Sequence, residues 1–257
     1  MNKNYLKVLI VATAAVLLAS VSARASETDS RIESSAKQSY VFKTYLNKDA
    51  INIQSVDGVV TLTGTVAEES HKSLAQETVA NLPGVTSVDD QLTLKGDLPA
   101  ENSDGWIGIK VKTALLFHRS VNAFKTEVDV KDGVVTLKGE ASSQAQKDLA
   151  GEYAKDVDGV NDVKNEMTLA KNPNKGQTFG EKIDDASITA QVKVALLFHR
   201  STSVLHTKVA TSYGVVTVSG VAKNDAEKTL VSKLVNDIKG VKSVVNNMTI
   251  EDPSSKS

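Results

Sequence analysis

The sequence predicts an α+β protein made of three tandem copies of one small module, each with the order helix, strand, strand, helix, strand. The clearest sign is the heptapeptide Gly-Val-Val-Thr-Leu/Val-x-Gly, which begins at Gly58, Gly133 and Gly214. Its successive copies lie 75 and then 81 residues apart. Two further patterns, Asp-x-x-Ile before it and Gly-Val-x-x-Val after it, keep the same spacings. Patterns that stay in register in this way indicate an internal repeat, with one structural unit in each copy.

The first helix of each module is predicted to begin near the aspartate of the Asp-x-x-Ile pattern. These aspartates are Asp29, Asp104 and Asp185. A carboxylate at a helix N-terminus can accept a hydrogen bond from a backbone N–H that has no partner within the helix. Apolar residues then recur at helical spacing, as at Ile107, Val111 and Leu115. This spacing predicts that one face of the helix packs against a core.

A β-hairpin is predicted next in each module. The Asp-Gly dipeptides at residues 57–58 and 132–133 are typical of tight two-residue turns, because glycine accepts a positive φ freely. The third module has Tyr213 and Gly214 at this place, which is a weaker turn signal. The strand after the turn is rich in β-branched residues, as residues 134–137 show, and such residues favour a sheet.

The second helix and the last strand complete each module. Gly84, Gly159 and Gly240 follow the second helix, where a glycine in the left-handed conformation is expected to end it. A strand–helix–strand crossover runs its two strands in the same direction. Each module is therefore predicted to contain a small three-stranded mixed sheet with both helices on one face.

The N-terminal segment is predicted to be a signal peptide that covers residues 1–25. Lys3 and Lys7 form its basic part, residues 8–18 form a short apolar stretch, and the cleavage site is placed after Ala25. The apolar stretch is shorter than the roughly 20 residues that a membrane span requires. We therefore expect a soluble protein exported to the periplasm, with no transmembrane segment after cleavage; an uncleaved N-terminal anchor is the alternative. The predicted boundaries that follow are 27–96, 103–171 and 183–251 for the modules and 252–257 for a polar tail.

Composition argues against several classes of function. The chain has no cysteine, which excludes disulfides, thiolate metal sites and a lipoprotein anchor. Its four histidines include no His-x-x-x-His pair, and there is neither a phosphate-binding glycine loop nor a Gly-x-Ser-x-Gly motif. Without residues 1–25 the chain holds 27 basic and 31 acidic residues, so a net charge of −4 argues against nucleic acid as a partner. We expect no enzyme activity, no catalytic residue, no metal and no cofactor.

Taken together, the three repeated patterns resemble the BON domain family over nearly the whole chain after residue 25. The glycines that carry the resemblance are Gly58, Gly64, Gly84, Gly133, Gly139, Gly159, Gly214, Gly220 and Gly240. The resemblance implies a non-enzymatic protein of the bacterial envelope. It further implies attachment to phospholipid or membrane surfaces, envelope integrity and tolerance of osmotic stress, or a chaperone-like role toward exported proteins.

One segment is more strongly repeated than the module itself: residues 114–120, Ala-Leu-Leu-Phe-His-Arg-Ser, return unchanged as residues 195–201. One interpretation is structural, with Leu and Phe in the core and His and Arg near the negative end of the helix dipole. The other is a contact with an anionic lipid headgroup, in which the guanidinium binds phosphate. The candidate lipid-binding residues are Phe117, His118, Arg119, Phe198, His199, Arg200, Lys239 and Lys242.

The charge of the modules rises along the chain. Residues 26–100 carry a net charge of −5, residues 101–175 carry −1, and residues 176–257 carry +2. The third module is therefore expected to make any weak, peripheral contact with anionic phospholipid. A module that binds exported proteins is the alternative. A basic surface with an exposed aromatic residue would favour lipid, and an exposed apolar groove between helices would favour a protein partner.

Overall fold

The computed structural model describes residues 27–96, 99–119, 121, 126–170, 182–202 and 207–251. The predicted signal peptide, residues 1–25, and the predicted tail, residues 252–257, lie outside the described residues. Within the described part of the chain, no helix combines the length and the apolar character that crossing a membrane requires.

Every module has the predicted order of elements, with one additional short helix, α2, in the first. The elements of the first module are α1 (27–38), α2 (Tyr40–Thr44), β1 (Ala50–Val56), β2 (Val59–Val66), α3 (Glu69–Ala80) and β3 (Ser87–Leu94). Those of the second are α4 (Asp104–Leu116), β4 (Thr126–Lys131), β5 (Val134–Ala141), α5 (Gln144–Lys155), β6 (Asp162–Asn165) and β7 (Thr168–Leu169). Those of the third are α6 (Asp185–Phe198), β8 (Thr207–Ser212), β9 (Val215–Ala222), α7 (Asp225–Asn236) and β10 (Ser243–Ile250).

The three sheets confirm the predicted α+β fold with mixed topology. In each sheet the middle strand pairs antiparallel with the strand before it and parallel with the strand after the second helix. The parallel register is the same in all three, as the pairs Val59 with Ser87 and Val215 with Ser243 show. The last strand of the second module is divided into β6 and β7, which both pair with β5.

One face of each sheet carries the core. Val216 and Val218 of β9 are fully buried, as are Val60 and Leu62 of β2, whereas the residues between them are more exposed. In the third module the first helix packs on β8 and the second helix packs on β10. This alternation is the pattern of a sheet that is covered by helices on one side.

The aspartate of the Asp-x-x-Ile pattern does not cap its own helix, which corrects the sequence-based expectation. The caps of α4 and α6 are Ser103 and Asp184. The two oxygens of Asp104 instead accept hydrogen bonds from the backbone N–H groups of Asp132 and Gly133, each at 2.9 Å. Equivalent bonds join Asp29 and Asp185 to the hairpin turns of their own modules. These bonds lower the pKa of Asp29 and of Asp104, because they stabilise the charged carboxylate.

Two of the family glycines, Gly64 and Gly159, lie where the surrounding structure leaves little room for a side chain. Gly64 has a φ of 118°, and a Cβ atom there would lie 1.9 Å from the carbonyl oxygen of Ala50 on the paired strand. Gly159 has a φ of 91°, but α5 ends at Lys155 with Asp156 as its C-cap, so the glycine shapes the turn after the helix and does not end it, which corrects the sequence-based expectation. A Cβ at Gly159 would lie 3.0 Å from Ile107. Ile107 is the isoleucine of Asp-x-x-Ile, so the repeated patterns meet at one end of the module.

Candidate functional site

The described residues of the two copies of the repeated segment, 114–119 and 195–201, lie at the junction between the second and third modules. The backbone N–H of Arg119 donates to the carbonyl of Asp237 at 2.7 Å, and the N–H of Lys239 donates back to Phe117 at 3.0 Å. Across the junction, the N–H of Arg200 donates to the carbonyl of Asp156 at 3.0 Å. Each copy therefore binds the end of the second helix in the other module, and the contact is reciprocal.

The two arginines bind carbonyls at the ends of these helices. Nη2 of Arg119 donates to Val241 at 2.6 Å and to Ile238 at 3.2 Å, and it also bonds the carbonyl of Asn236, the last residue of α7. Nη2 of Arg200 donates to the carbonyl of Lys155, the last residue of α5. A guanidinium at a helix C-terminus is favourable, because it satisfies carbonyls that have no partner within the helix. The structural interpretation of the sequence predicted that the arginine interacts with a helix C-terminus, but it placed this interaction at the end of the arginine's own helix.

The two histidines of the segment meet inside the junction. His118 is 0% exposed and His199 is 2% exposed, and their Nε2 atoms lie 3.4 Å apart. Nδ1 of His199 lies 2.9 Å from Asp156, and Nδ1 of His118 lies 3.2 Å from Asp237. The ring of Tyr153 stacks on His118 with the ring centroids 3.8 Å apart, and its hydroxyl donates to Asp237 at 2.8 Å.

Burial controls the protonation of several groups in this cluster. It lowers the pKa of His118, and this effect exceeds the opposing effect of Asp237. Burial also raises the pKa of Tyr153 and lowers the pKa of Lys239, since it disfavours the charged form of each. For Asp156, burial acts to raise the pKa, but hydrogen bonds from His199 and Ser201 outweigh it, so that the pKa is lowered.

These contacts correct the interpretation of the repeated segment as a lipid contact. Phe117, His118 and His199 are buried, and a buried side chain cannot reach a headgroup in this conformation. Phe198 is partly buried against the core. Both arginines are exposed residues, but their guanidinium groups bind the carbonyls described above.

The two candidate lysines have intramolecular contacts as well. Nζ of Lys239 donates to the carbonyl of Leu116 at 3.1 Å across the junction. Nζ of Lys242 donates to the carbonyl of Tyr213 at 3.0 Å within the third module, and Lys242 is an exposed residue. Of the eight candidate residues, Lys242 therefore fits a surface contact best.

The first module also docks on α6 of the third module. Asp184 accepts a hydrogen bond from the backbone N–H of Tyr40 at 2.8 Å, and the Ser187 hydroxyl accepts one from Val41 at 3.1 Å. Nζ of Lys193 lies 2.7 Å from the Glu77 carboxylate. α6 contacts both α3 of the first module and α4 of the second, and ten of its fourteen residues are buried.

Tyr213, at the hairpin turn of the third module, is the feature that sequence reasoning undervalued. It is 86% exposed and has a φ of 52°, a conformation that the other two modules assign to Asp57 and Asp132. A bulky residue in the left-handed region is strained. Together with Gly214 and Lys242, whose side chain packs over that glycine, Tyr213 forms what we call the Tyr213 tip. The replacement of Asp by Tyr at a predicted turn was the available signal.

The described residues hold no group of three or more His, Cys, Asp or Glu side chains arranged to bind a metal ion. The histidine pair and its two carboxylates form a buried cluster at the junction between the second and third modules. The Tyr213 tip combines an exposed aromatic ring with a neighbouring lysine.

Comparison with known proteins identifies the module. The model of the BON domain matches residues 28–96, 103–171 and 184–252. The chain is 31% identical to Osmotically-inducible protein Y of Escherichia coli (strain K12) over 189 residues, which cover 74% of this chain and 92% of that protein. It is 33% identical to the 21 kDa hemolysin of Actinobacillus pleuropneumoniae over 127 residues, which cover 46% of this chain and 65% of that protein.

Among solved structures, CdsD, a structural protein of the type III secretion system of Chlamydia trachomatis, matches with a TM-score of 0.24 and 16% identity. That match covers 87% of this chain and 93% of the other, and a likeness at this level carries no argument. The family match and the first relative, by contrast, cover most of the chain. The three modules are BON domains, and the chain belongs to the BON domain family.

Proposed function

We propose that this protein is a non-enzymatic periplasmic protein of the osmotic-stress response, which contacts anionic phospholipid at the envelope through the Tyr213 tip. Its relative in Escherichia coli is named for osmotic induction, and that relative supports a role in the envelope. The observation that carries the lipid contact is the exposed Tyr213 ring beside Lys242.

The conformation of Tyr213 supports a functional role for its ring. A residue other than glycine in the left-handed region costs on the order of 1 kcal/mol or more, and such residues concentrate at functional sites. With 86% of its surface exposed, the Tyr213 side chain repays little of this cost by packing. An aromatic ring with a hydroxyl is well suited to the boundary between lipid headgroups and acyl chains.

The charge of the third module supports an anionic partner. Residues 176–257 carry a net charge of +2, in contrast to −5 for residues 26–100. Each lysine near an anionic membrane surface contributes about 1 kcal/mol of attraction, which falls with added salt. Lys242 at the tip can contribute to this attraction while its Nζ donates to one carbonyl, because an ammonium group has three donors.

The test is co-sedimentation of residues 26–257 with anionic and with zwitterionic vesicles over a series of salt concentrations. The decisive variant is Tyr213→Asn, since asparagine tolerates the left-handed conformation and preserves the turn. Asp132→Asn changes the equivalent turn of the second module and is the matched control. We expect binding to anionic vesicles at low salt, which Tyr213→Asn weakens about fivefold, the equivalent of about 1 kcal/mol, and which the control leaves unchanged.

Two outcomes would contradict the proposal. One is an absence of binding to anionic vesicles at low salt. The other is equal binding by the wild type and Tyr213→Asn, which would move the contact away from the tip. The double variant Arg119→Ala, Arg200→Ala distinguishes a lipid contact at the repeated segment from one at the Tyr213 tip, because it changes the junction and leaves the tip intact.

A chaperone-like module that binds exported proteins is the second candidate. Its support is the outer face of the third sheet, where Val221 and Val245 are more than 40% exposed. In the described sheet β10 lies at an edge, and an extended segment can add to the edge of a sheet. Suppression of the aggregation of an unfolded envelope protein by residues 26–257, lost in Val245→Lys, would support this candidate; suppression unchanged by Val245→Lys would exclude this surface.

A further inference from the structure

We infer that His118 and His199 form a shared proton-binding site at the junction between the second and third modules. The two modules stay docked while the histidine pair carries at most one positive charge, and they separate when the pair carries two. This inference is independent of the proposed lipid contact. It rests on the facing Nε2 atoms of two buried imidazoles at 3.4 Å.

The hydrogen bonds decide which protonation states fit. Nδ1 of His199 lies 2.9 Å from a carboxylate oxygen of Asp156, so this nitrogen carries a proton and donates it. In a neutral imidazole the other nitrogen then has a lone pair. Nε2 of His199 therefore accepts, and Nε2 of His118 donates to it. One proton lies between the rings.

A single positive charge on the pair has one carboxylate beside it, Asp237, which partly offsets the cost of burying the charge. If His118 is protonated on both nitrogens, its Nδ1–H faces Asp237 at 3.2 Å and its Nε2–H faces His199. Nδ1 of His118 is buried without an aligned hydrogen bond, so a proton there interacts with the Asp237 carboxylate through charge at 3.2 Å. Asp237 then balances the charge of the imidazolium.

A second positive charge does not fit. It would place an N–H on each of the two facing Nε2 atoms, and these two donors would have no acceptor between them at 3.4 Å. Two like charges at this distance in a buried site repel strongly. Asp156 is already shared by His199, Ser201 and Arg200, so it offers no additional carboxylate to offset the second charge.

The surrounding groups add positive rather than negative charge. Tyr153 covers one face of His118 and is neutral, since burial raises its pKa. The other ionisable groups near the pair are cationic and already bonded: Arg119, Arg200 and Lys239 donate to backbone carbonyls at the junction. Asp156 and Asp237 are therefore the carboxylates that face the pair from α5 and α7.

Linkage then gives the direction of the pH dependence. Once the modules separate, His118 reaches water, and its pKa returns toward the ordinary value of 6.5 because the burial that lowers it is lost. The closed state binds fewer protons, so docking is stable above this value and weakens as the pH falls below it. For a difference of one proton, the ratio of closed to open molecules falls about tenfold for each pH unit. The lowered pKa of His118 in the closed state acts in the same direction.

The test measures the distance between modules from pH 8 to pH 5. Because the chain has no cysteine, spin labels can be attached through Lys138→Cys on the second module and Lys208→Cys on the third, both at exposed positions. A control pair combines Gln54→Cys on the first module with Lys208→Cys. We expect double electron–electron resonance to show longer and broader distances for the first pair below about pH 6. The control pair should keep its distance, because the hydrogen bonds described between the first and third modules involve no imidazole.

Two matched variants identify the sensor. In His118→Gln and His199→Gln an amide replaces the imidazole, so the distance between the second and third modules should no longer depend on pH. The inference is wrong if the wild-type distance is constant from pH 8 to pH 5, or if both variants open at the wild-type midpoint. Nuclear magnetic resonance titration of the wild-type imidazoles gives an independent check: uptake of the second proton should coincide with opening, and two imidazolium groups in a closed protein would overturn the inference.

Discussion

The two junctions of the third module are built in different ways. Toward the second module the contact is reciprocal, because each side presents residues of the same repeated segment, 114–119 and 195–200, to the helix end of the other. Toward the first module it is one-sided: Asp184 and Ser187 of the third module accept hydrogen bonds from the backbone of α2. At this place the first module has Tyr-Val-Phe-Lys-Thr, residues 40–44, in place of the repeated segment.

The difference shows what an unchanged repeat can encode. Two identical segments on similar modules can bind each other symmetrically, as identical surfaces do in a two-fold dimer. A module without the segment can dock only by a different set of contacts. Substitutions at matched positions of the two junctions therefore test whether the reciprocal contact is the stronger one.

The largest effect is expected for Phe117→Ala. Phe117 is fully buried, and its ring packs edge-on against Tyr45 of the first module with the centroids 5.4 Å apart, so the ring links the first and second modules. Removal of a buried phenylalanine ring costs about 3–5 kcal/mol. Phe198→Ala, at the partly buried equivalent position, should cost about half as much. Urea unfolding followed by the fluorescence of Trp106, the single tryptophan, measures both, and equal costs would contradict the comparison.

A smaller effect is expected for Arg119→Ala. This change leaves three carbonyls at the end of α7 without their donor, and a hydrogen bond to a charged group contributes about 1.5–3 kcal/mol. Because Arg119 is partly solvated, we expect the lower end of that range. Arg200→Ala, which removes the bond to Lys155, should cost less. The midpoints of urea unfolding of the two variants should differ in this order, and the reverse order would contradict the assignment.

Ser187→Ala tests the one-sided junction. The hydroxyl of Ser187 accepts from the N–H of Val41 at 3.1 Å, and its loss leaves a buried donor without a partner, which costs about 1–2 kcal/mol. Ser187→Thr keeps the acceptor and serves as the control for the hydrogen bond. Slower amide hydrogen exchange at Val41 in the wild type than in Ser187→Ala would show that the loss of stability comes from this hydrogen bond. Equal exchange rates would show that this bond does not hold the junction.

The smallest effect is expected for Glu77→Gln. The pair with Lys193 has a distance of 2.7 Å, but its side chains are about 30% exposed, and such ion pairs contribute about 0.5 kcal/mol. High salt should remove this difference from the wild type, because screening weakens exposed pairs. If thermal unfolding shows that Glu77→Gln lowers the free energy of unfolding by more than about 1 kcal/mol, the pair stabilises the docking of the first module more than an exposed ion pair is expected to.

The elements of the modules could be predicted from the sequence because their signals are local. The Asp-Gly turns, the glycine at residue 159 and the β-branched middle strand each specify backbone geometry within a few residues. The role of Asp104 could not be predicted in this way, because its partners at residues 132 and 133 lie 28 residues or more along the chain. An aspartate at the start of a helix is equally consistent with an N-cap, so the sequence did not distinguish a cap from a bond to the hairpin turn.

The junction was harder to predict, since docking depends on surfaces that come together only after each module has folded. The unchanged repetition of residues 114–120 was visible, and its histidine and arginine were assigned either to their own helix end or to lipid. A symmetric contact between two identical segments would have explained why this stretch matches more closely than the rest of the module. The strained turn at Tyr213 was likewise visible only as a weaker turn dipeptide.

The burial of α6 on several sides has a consequence for the order of assembly. A chain leaves the ribosome N-terminus first, and its domains generally fold in that order. Here the helix that covers the docking surfaces of the first and second modules is Asp185–Phe198, which emerges after both of them. Until it arrives, the apolar side chains that Tyr45 and Phe117 contribute to the junctions lack their full cover. A chain that stops before residue 185 should therefore be recognised by chaperones and proteases as unfinished, although two of its three modules are complete.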